Sequence, residues 1–294
     1  MITRTAPRAA PSARSAPPDR GLAMLRTATL FGLMLPGLWL AHGLIQDTLG
    51  AKPITEVIHE AGDWAIRLLF LSLAITPFRH IFRWHWLAPL RRRIGVAAFA
   101  YAAIHLFFYV VDENFDLAKV ASEIVLRIYL TIGFIGLLLL AALAITSTDG
   151  MVRRLGGRRW KKLHRAAYVI GLLGTVHFFM QSKLDVSEPT VMAGLFIWLM
   201  GWRLIAKLGG NARAASLPAL FGLAIAAGMA TAFGEAAYYS LKSGIDPSLV
   251  LQANLTLMAG LRPAWIVLAI GLSVALLAIV RRGLRALRPA PAAS

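Results

Sequence analysis

Seven histidines and no cysteine set the chemistry open to this 294-residue chain. Without thiols there is no disulfide, no thiolate zinc site, no cysteine-held iron–sulfur cluster and no covalently attached c-type haem, so a metal falls to imidazole or carboxylate. Two imidazoles stand in apolar surroundings, His105 in YAAIHLFFYVV and His177 in GLLGTVHFFMQS. An ionisable side chain in hydrocarbon needs a partner. Two neutral imidazoles facing each other across a helix bundle are what a six-coordinate haem iron requires, although each could also simply hydrogen-bond a neighbouring helix. His164 precedes His177 by 13 residues. That is about 20 Å along a helix axis, too far to share one metal but suited to a second site stacked nearer the other face. Thirteen steps of about 100° leave the two about 140° apart around an ideal helix, unless Gly171 and Gly174 permit local adjustment. His80 and His85 lie beside Trp84 and Trp86 in a basic stretch and read as interfacial anchors. His42 and His59 fall nearer to span ends.

The elements that must position these side chains are membrane helices. The chain is 58% hydrophobic and 15% charged, with a mean hydropathy of +0.65. Its charges cluster between apolar runs of about 20 residues, the length that spans about 30 Å of hydrocarbon. Runs such as IGLLLLAALAI are apolar on both faces of any strand, which argues against a membrane barrel. Eight spans are expected, near 26–46, 58–78, 93–111, 124–146, 163–181, 190–207, 216–240 and 262–281. The fold class is therefore an all-α polytopic bundle. Residues 1–23, rich in Ala, Pro, Arg and Ser, read as a disordered tail leading into a retained first helix. Basic residues gather in alternate segments: the tail, Arg79 to Arg93, Arg153 to Lys162, Arg203 to Arg213 and the C-terminal end. The other loops hold Lys52, Lys119, Lys183, Lys242 and Arg262 with most of the acids. This alternation predicts both termini in the cytoplasm, and it accounts for the net charge of +17 by orientation and anionic lipid rather than nucleic acid. The stretch LGGNARAAS at 208–216 is the clearest seam, and 241–261 suits a surface helix or a re-entrant piece.

Arg67 and Arg127, near or inside spans, need partners, for which a haem propionate or Glu60, Asp63 and Glu123 qualify. Glycines and aromatics through the third to fifth spans suit a flat macrocycle and ordinary helix packing alike. No phosphate-binding loop, dinucleotide fingerprint, His-Glu-x-x-His or Ser-His-Asp pattern occurs, so any nicotinamide chemistry belongs to another protein. Three classes remain: an electron carrier, a proton-coupled transporter using buried histidines, and a membrane scaffold. The scarcity of mid-membrane carboxylates and of broken helix pairs weighs against transport.

Four segments in order, AITPFR (74–79), RRRIGVAAFAYAAIHL (91–106), YLTIGFIGLLLLAALAITST (129–148) and LGGRRWKKLHRAAYVIGLLGTVHFF (155–179), together resemble the MsrQ (YedZ) family over about 30–207. That family is the haem-binding membrane subunit of the periplasmic methionine-sulfoxide reductase system, related to ferric-reductase membrane domains. The resemblance implies haem b, one or two, with axial ligands at His105, His164 and His177, and an associated FMN. It also implies electrons from the quinone pool or a cytoplasmic flavin reductase, delivered across the inner membrane to the molybdenum-containing partner MsrP. At the position where the wider superfamily has an inner histidine on the third helix, this chain has Arg91 or Arg92, so an inner haem lacks an obvious second ligand. The expected division is a tail (1–23), a six-helix haem-binding domain (24–208) and a two-helix extension (209–294).

Overall fold

The computed structural model describes residues 20–182, 185–256 and 260–287. The segment before Arg20, Lys183 and the chain end from residue 288 lie outside the described residues. In chain order the helices are α1 (Arg20–Ile45), α2 (Pro53–Ile81), α3 (Leu90–Asp112), α4 (Leu117–Leu126), α5 (Ile128–Ile145), α6 (Asp149–Leu155), α7 (Gly157–Leu163), α8 (Ala166–Gln181), α9 (Ser187–Ala214), α10 (Leu217–Ser243), α11 (Pro247–Asn254) and α12 (Pro263–Ala286). Eight helical segments, built on α1, α2, α3, α5, α8, α9, α10 and α12, are long and apolar enough to cross a membrane. The all-α polytopic bundle is what the composition and periodicity predict.

Three boundaries differ from expectation. The run at 124–146 is broken at Arg127, whose extended backbone (φ −104°, ψ 106°) ends α4 and starts α5. Its side chain turns back to Glu123, and Thr131 Oγ1 donates to the Ile124 carbonyl, so the break is held by polar groups at the end of the span. His164 lies between α7 and α8 rather than on a continuous helix. The seam at 208–216 is helical on both sides of Gly210, whose positive φ (81°) lets the chain kink without stopping.

One hydrophobic core runs through seven of the eight spanning helices, with α1 packed on it through the partly buried Leu25 and Leu33. It joins Leu69 and Leu73 of α2, Ala98 of α3, Leu140 of α5, Ile170 of α8, Trp202 of α9, Leu220 and Ala227 of α10, and Val267 and Ala275 of α12. Hydrocarbon offers no water to a broken helix, so a carbonyl freed by proline must find its donor on a neighbour. Pro77 inside α2 has no N–H for the Leu73 carbonyl, and Arg203 of α9 donates to that carbonyl instead (2.6 Å). Next to Pro36 in α1, the Tyr101 hydroxyl of α3 accepts from Gly37 N (2.7 Å) and donates to Leu33 O (2.9 Å), inserting itself into one turn. At the end of α2, the Phe82 carbonyl receives Arg281 Nε (2.8 Å) and Arg285 Nη2 (2.9 Å) from α12. The last helix therefore caps the second.

Candidate functional site

His105 on α3 and His177 on α8 face each other with ring centroids 6.1 Å apart and planes at 89°. Each is seated the same way. His105 Nδ1 lies 2.7 Å from the carbonyl of Ile58 on α2, and His177 Nδ1 lies 2.8 Å from the carbonyl of Tyr129 on α5. A carbonyl only accepts, so in both rings Nδ1 carries the proton and Nε2 keeps its lone pair. Four residues after each carbonyl comes a glycine against which the ring lies. A Cβ on Gly62 would come within 3.0 Å of His105 Nδ1, and one on Gly133 within 2.8 Å of the His177 ring. Ile58 and Tyr129 already accept the helical bonds of Gly62 and Gly133, so each carbonyl serves a backbone amide and an imidazole together. The sequence reasoning missed Gly62. Its only signal was a glycine inside a helix, which is uninformative until the facing histidine is placed.

This arrangement suits one metal between two imidazoles. Two metal–nitrogen bonds of about 2 Å plus the inner radius of each ring put the centroids about 6 Å apart. A hydrogen bond from the second ring nitrogen to a carbonyl is the support that ligating histidines ordinarily have.

Around the pair, the acidic end of the bundle is knitted by ion pairs. Arg67 meets Glu188 (2.6 Å), Asp63 (3.6 Å) and Glu60 (3.9 Å), so its partners are carboxylates. Arg127 donates to Glu123 (2.9 Å) and to the Tyr129 hydroxyl (3.2 Å), and Tyr109 of α3 donates to Glu123. That network anchors the residue whose carbonyl orients His177. The Tyr129 and Glu123 contacts raise the Arg127 pKa above its ordinary value. Among the described residues no cluster of three or more His, Asp or Glu could hold a bare metal ion.

His164 is held differently. Its ring stacks on Trp160 (3.9 Å between centroids), and Nε2 lies 3.3 Å from Thr146 Oγ1. The Thr146 hydroxyl donates to Ala142 O (2.7 Å), so His164 Nε2 is the donor in that contact and Nδ1 has the lone pair. The expected angular mismatch with His177 falls away because His164 is not on α8. His80 stacks on Trp202, His85 is exposed on a 3-10 turn (His85–Leu87), and His42 and His59 are exposed. At this basic end Arg92 pairs with Asp149, and that bond holds the Asp149 carboxyl below its ordinary pKa.

A family model described as ferric reductase like transmembrane component matches residues 61–175, a stretch that includes Gly62, His105, Gly133 and His164 and stops just before His177. Three curated relatives are each named protein-methionine-sulfoxide reductase heme-binding subunit MsrQ. That of Azospira oryzae is 38% identical over 197 residues, covering 66% of this chain and 84% of its own. That of Rhodospirillum rubrum is 43% identical over 183 residues, covering 61% and 87%. That of Herminiimonas arsenicoxydans is 38% identical over 200 residues, covering 66% and 92%. No solved structure matches. With 84–92% of these relatives' lengths covered at 38–43% identity, the chain belongs to the MsrQ family, a group of ferric-reductase-like membrane electron-transfer proteins.

Proposed function

We propose that the chain is the haem b subunit that carries electrons across the bacterial inner membrane to a periplasmic methionine-sulfoxide reductase partner, MsrP. The observation that carries this reading is the matched seating of His105 and His177, each with Nδ1 on a carbonyl, a glycine at its face and a free Nε2. A bound haem supplies reversible one-electron transfer; the chain supplies two axial imidazoles, the carbonyls that orient them and the hydrocarbon that keeps water away. Both termini are cytoplasmic in this reading, on the side of the arginine-rich loops. Electrons enter from the quinone pool or a cytoplasmic flavin reductase, with Arg153, Arg154, Arg158 and Arg159 placed to hold an FMN phosphate or a haem propionate near that surface. His164 would hold a second haem near that entry face, with the remaining position on its iron weakly filled by solvent, a flavin-side group or a loop residue such as His85.

The test is spectroscopic. Purified protein should show a Soret band and a reducible α-band; a transporter or scaffold would be colourless. His105→Ala and His177→Ala should each abolish the low-spin signal, and an unchanged spectrum in both would remove the pair from the site. A pyridine haemochrome count of one per chain, unaltered in His164→Ala, would reduce the design to a single haem.

A further inference from the structure

The basic end of the bundle gathers four arginines where α2 and α12 meet. Arg281 Nε and Arg285 Nη2 both donate to the Phe82 carbonyl (2.8 and 2.9 Å), which holds the two donor atoms within about 6 Å of each other. A neutral carbonyl leaves both charges in place, and like charges at that range repel and are steadied by an anion between them. Arg282 donates to the Ala215 carbonyl between α9 and α10, and Arg281 lies over the Trp84 ring, 5.4 Å from its centroid. Arg83, the residue after Phe82, is exposed and holds a left-handed backbone (φ 55°), a conformation that glycine ordinarily takes after a helix end. Asp149 is the one carboxylate described at this end, and Arg92 takes it. Among the described residues no carboxylate pairs with Arg83, Arg281 or Arg282.

The place of the cluster selects the anion. α2 and α12 are both long and apolar enough to span a membrane, and the arginines lie where those spans end. Trp84 and the exposed Trp86 stand beside each other there, 5.8 Å between ring centroids, as aromatic side chains do at head-group depth. About one turn deeper on α12, Leu277 and Val280 are exposed, an apolar surface for an acyl chain. A soluble phosphate would use the arginines and leave that surface idle, and a zwitterionic head group would bring a cation of its own among them. Arginine meets phosphate through paired N–H groups, and the Phe82 carbonyl occupies one of the five donors on each guanidinium. We propose that the fork between the end of α2 and α12 binds the phosphate of one anionic phospholipid, which accepts from Arg281 and Arg285, with Arg83 and Arg282 at its rim. Attraction of positive loops to an anionic bilayer is diffuse, whereas this site retains a single molecule and ties α12 to α2 through it. The site goes beyond the electron-transfer reading and does not depend on it.

The experiment gives the full chain, delipidated in detergent, phosphatidylglycerol, phosphatidylcholine or inorganic phosphate, and reads bound lipid by native mass spectrometry with thermal unfolding alongside. One phosphatidylglycerol per chain should resist stripping after phosphatidylcholine has left, and should raise Tm by about 3 °C or more, as a ligand of the folded state does. Arg281→Gln with Arg285→Gln leaves an amide at each position to meet the Phe82 carbonyl and removes both charges, so retention should fall about tenfold. Lysine at the same two positions keeps the charges without the planar fork and should lose about threefold. Arg282→Gln, at an exposed position, should lose about twofold and supplies the reading should the glutamine pair not fold. Lys161→Gln with Lys162→Gln takes as many charges from α7 and should retain the lipid as the parent does. Equal loss in that lysine control would reduce the site to diffuse attraction. Equal retention of phosphatidylcholine, an equal rise in Tm with inorganic phosphate, or retention unchanged in every arginine variant would likewise overturn it.

Discussion

At the scale of single residues, the site is two histidines and the surfaces that aim them. Each imidazole is oriented by a carbonyl that the helix has already used once, and by a glycine that admits the ring to that carbonyl. The glycines are therefore testable apart from the ligands. Gly62→Ala and Gly133→Ala each improve helix propensity, yet each new methyl would push an imidazole off its acceptor. Haem affinity, measured by titrating apoprotein with haem, should fall about 10- to 100-fold, as for other losses of ligand support. Gly133→Ala should be the worse of the two, because its Cβ would meet two ring atoms at 2.8 Å. Unchanged affinity in both would mean that the rings are steered from elsewhere. His105 and His177 were legible in the sequence because an imidazole amid YAAIHLFFYVV or GLLGTVHFFMQS has few innocent explanations. Gly62 was not legible, since its role exists only relative to a side chain 43 positions away.

At the scale of helices, the recurring device is a foreign side chain that repairs an interrupted backbone. AITPFR was recognisable as a motif, but the effect of its proline depends on Arg203, which sequence alone could not bring to α2. By sequence Arg203 belongs with the orientation-setting cations, whereas its guanidinium donates to Leu73 O and Leu199 O and lies over Tyr168. Replacing it by Met retains the apolar stem and strands the Leu73 carbonyl, a cost of about 1–3 kcal/mol. Pro77→Ala restores the missing amide, so the double variant should regain much of that loss in detergent thermal unfolding. Additive effects in this cycle would show that Arg203 acts through something other than the freed carbonyl. The same logic explains why the span edges near 124 and 163 were misplaced. Hydropathy continues through Arg127 and His164, while hydrogen bonds to Glu123, Tyr129 and Thr146 decide where the helices stop.

At the scale of the molecule, eight spans were readable because length, hydropathy and charge alternation agree, and each is an average over many residues. Their mutual packing was not readable, and it changes the meaning of the division at 208. A two-helix extension suggests an appendage, but Trp198 and Trp202 of α9 share a core with Leu220, Val267 and Ala275, and the end of α2 is capped from α12. A chain ending at residue 208 should therefore lose thermal stability, and a core that melts unchanged would restore the appendage view. The cap also bears on the order of synthesis. Phe82 leaves the ribosome about two hundred residues before Arg281 and Arg285 exist, so through most of its biogenesis α2 ends in a bare carbonyl. The nascent bundle is unfinished until its last helix has inserted, which gives quality-control proteases a window that closes only with completion. Expressed as two polypeptides divided near Gly210, the halves should find each other in the bilayer, and the first should accumulate only when the second is made with it.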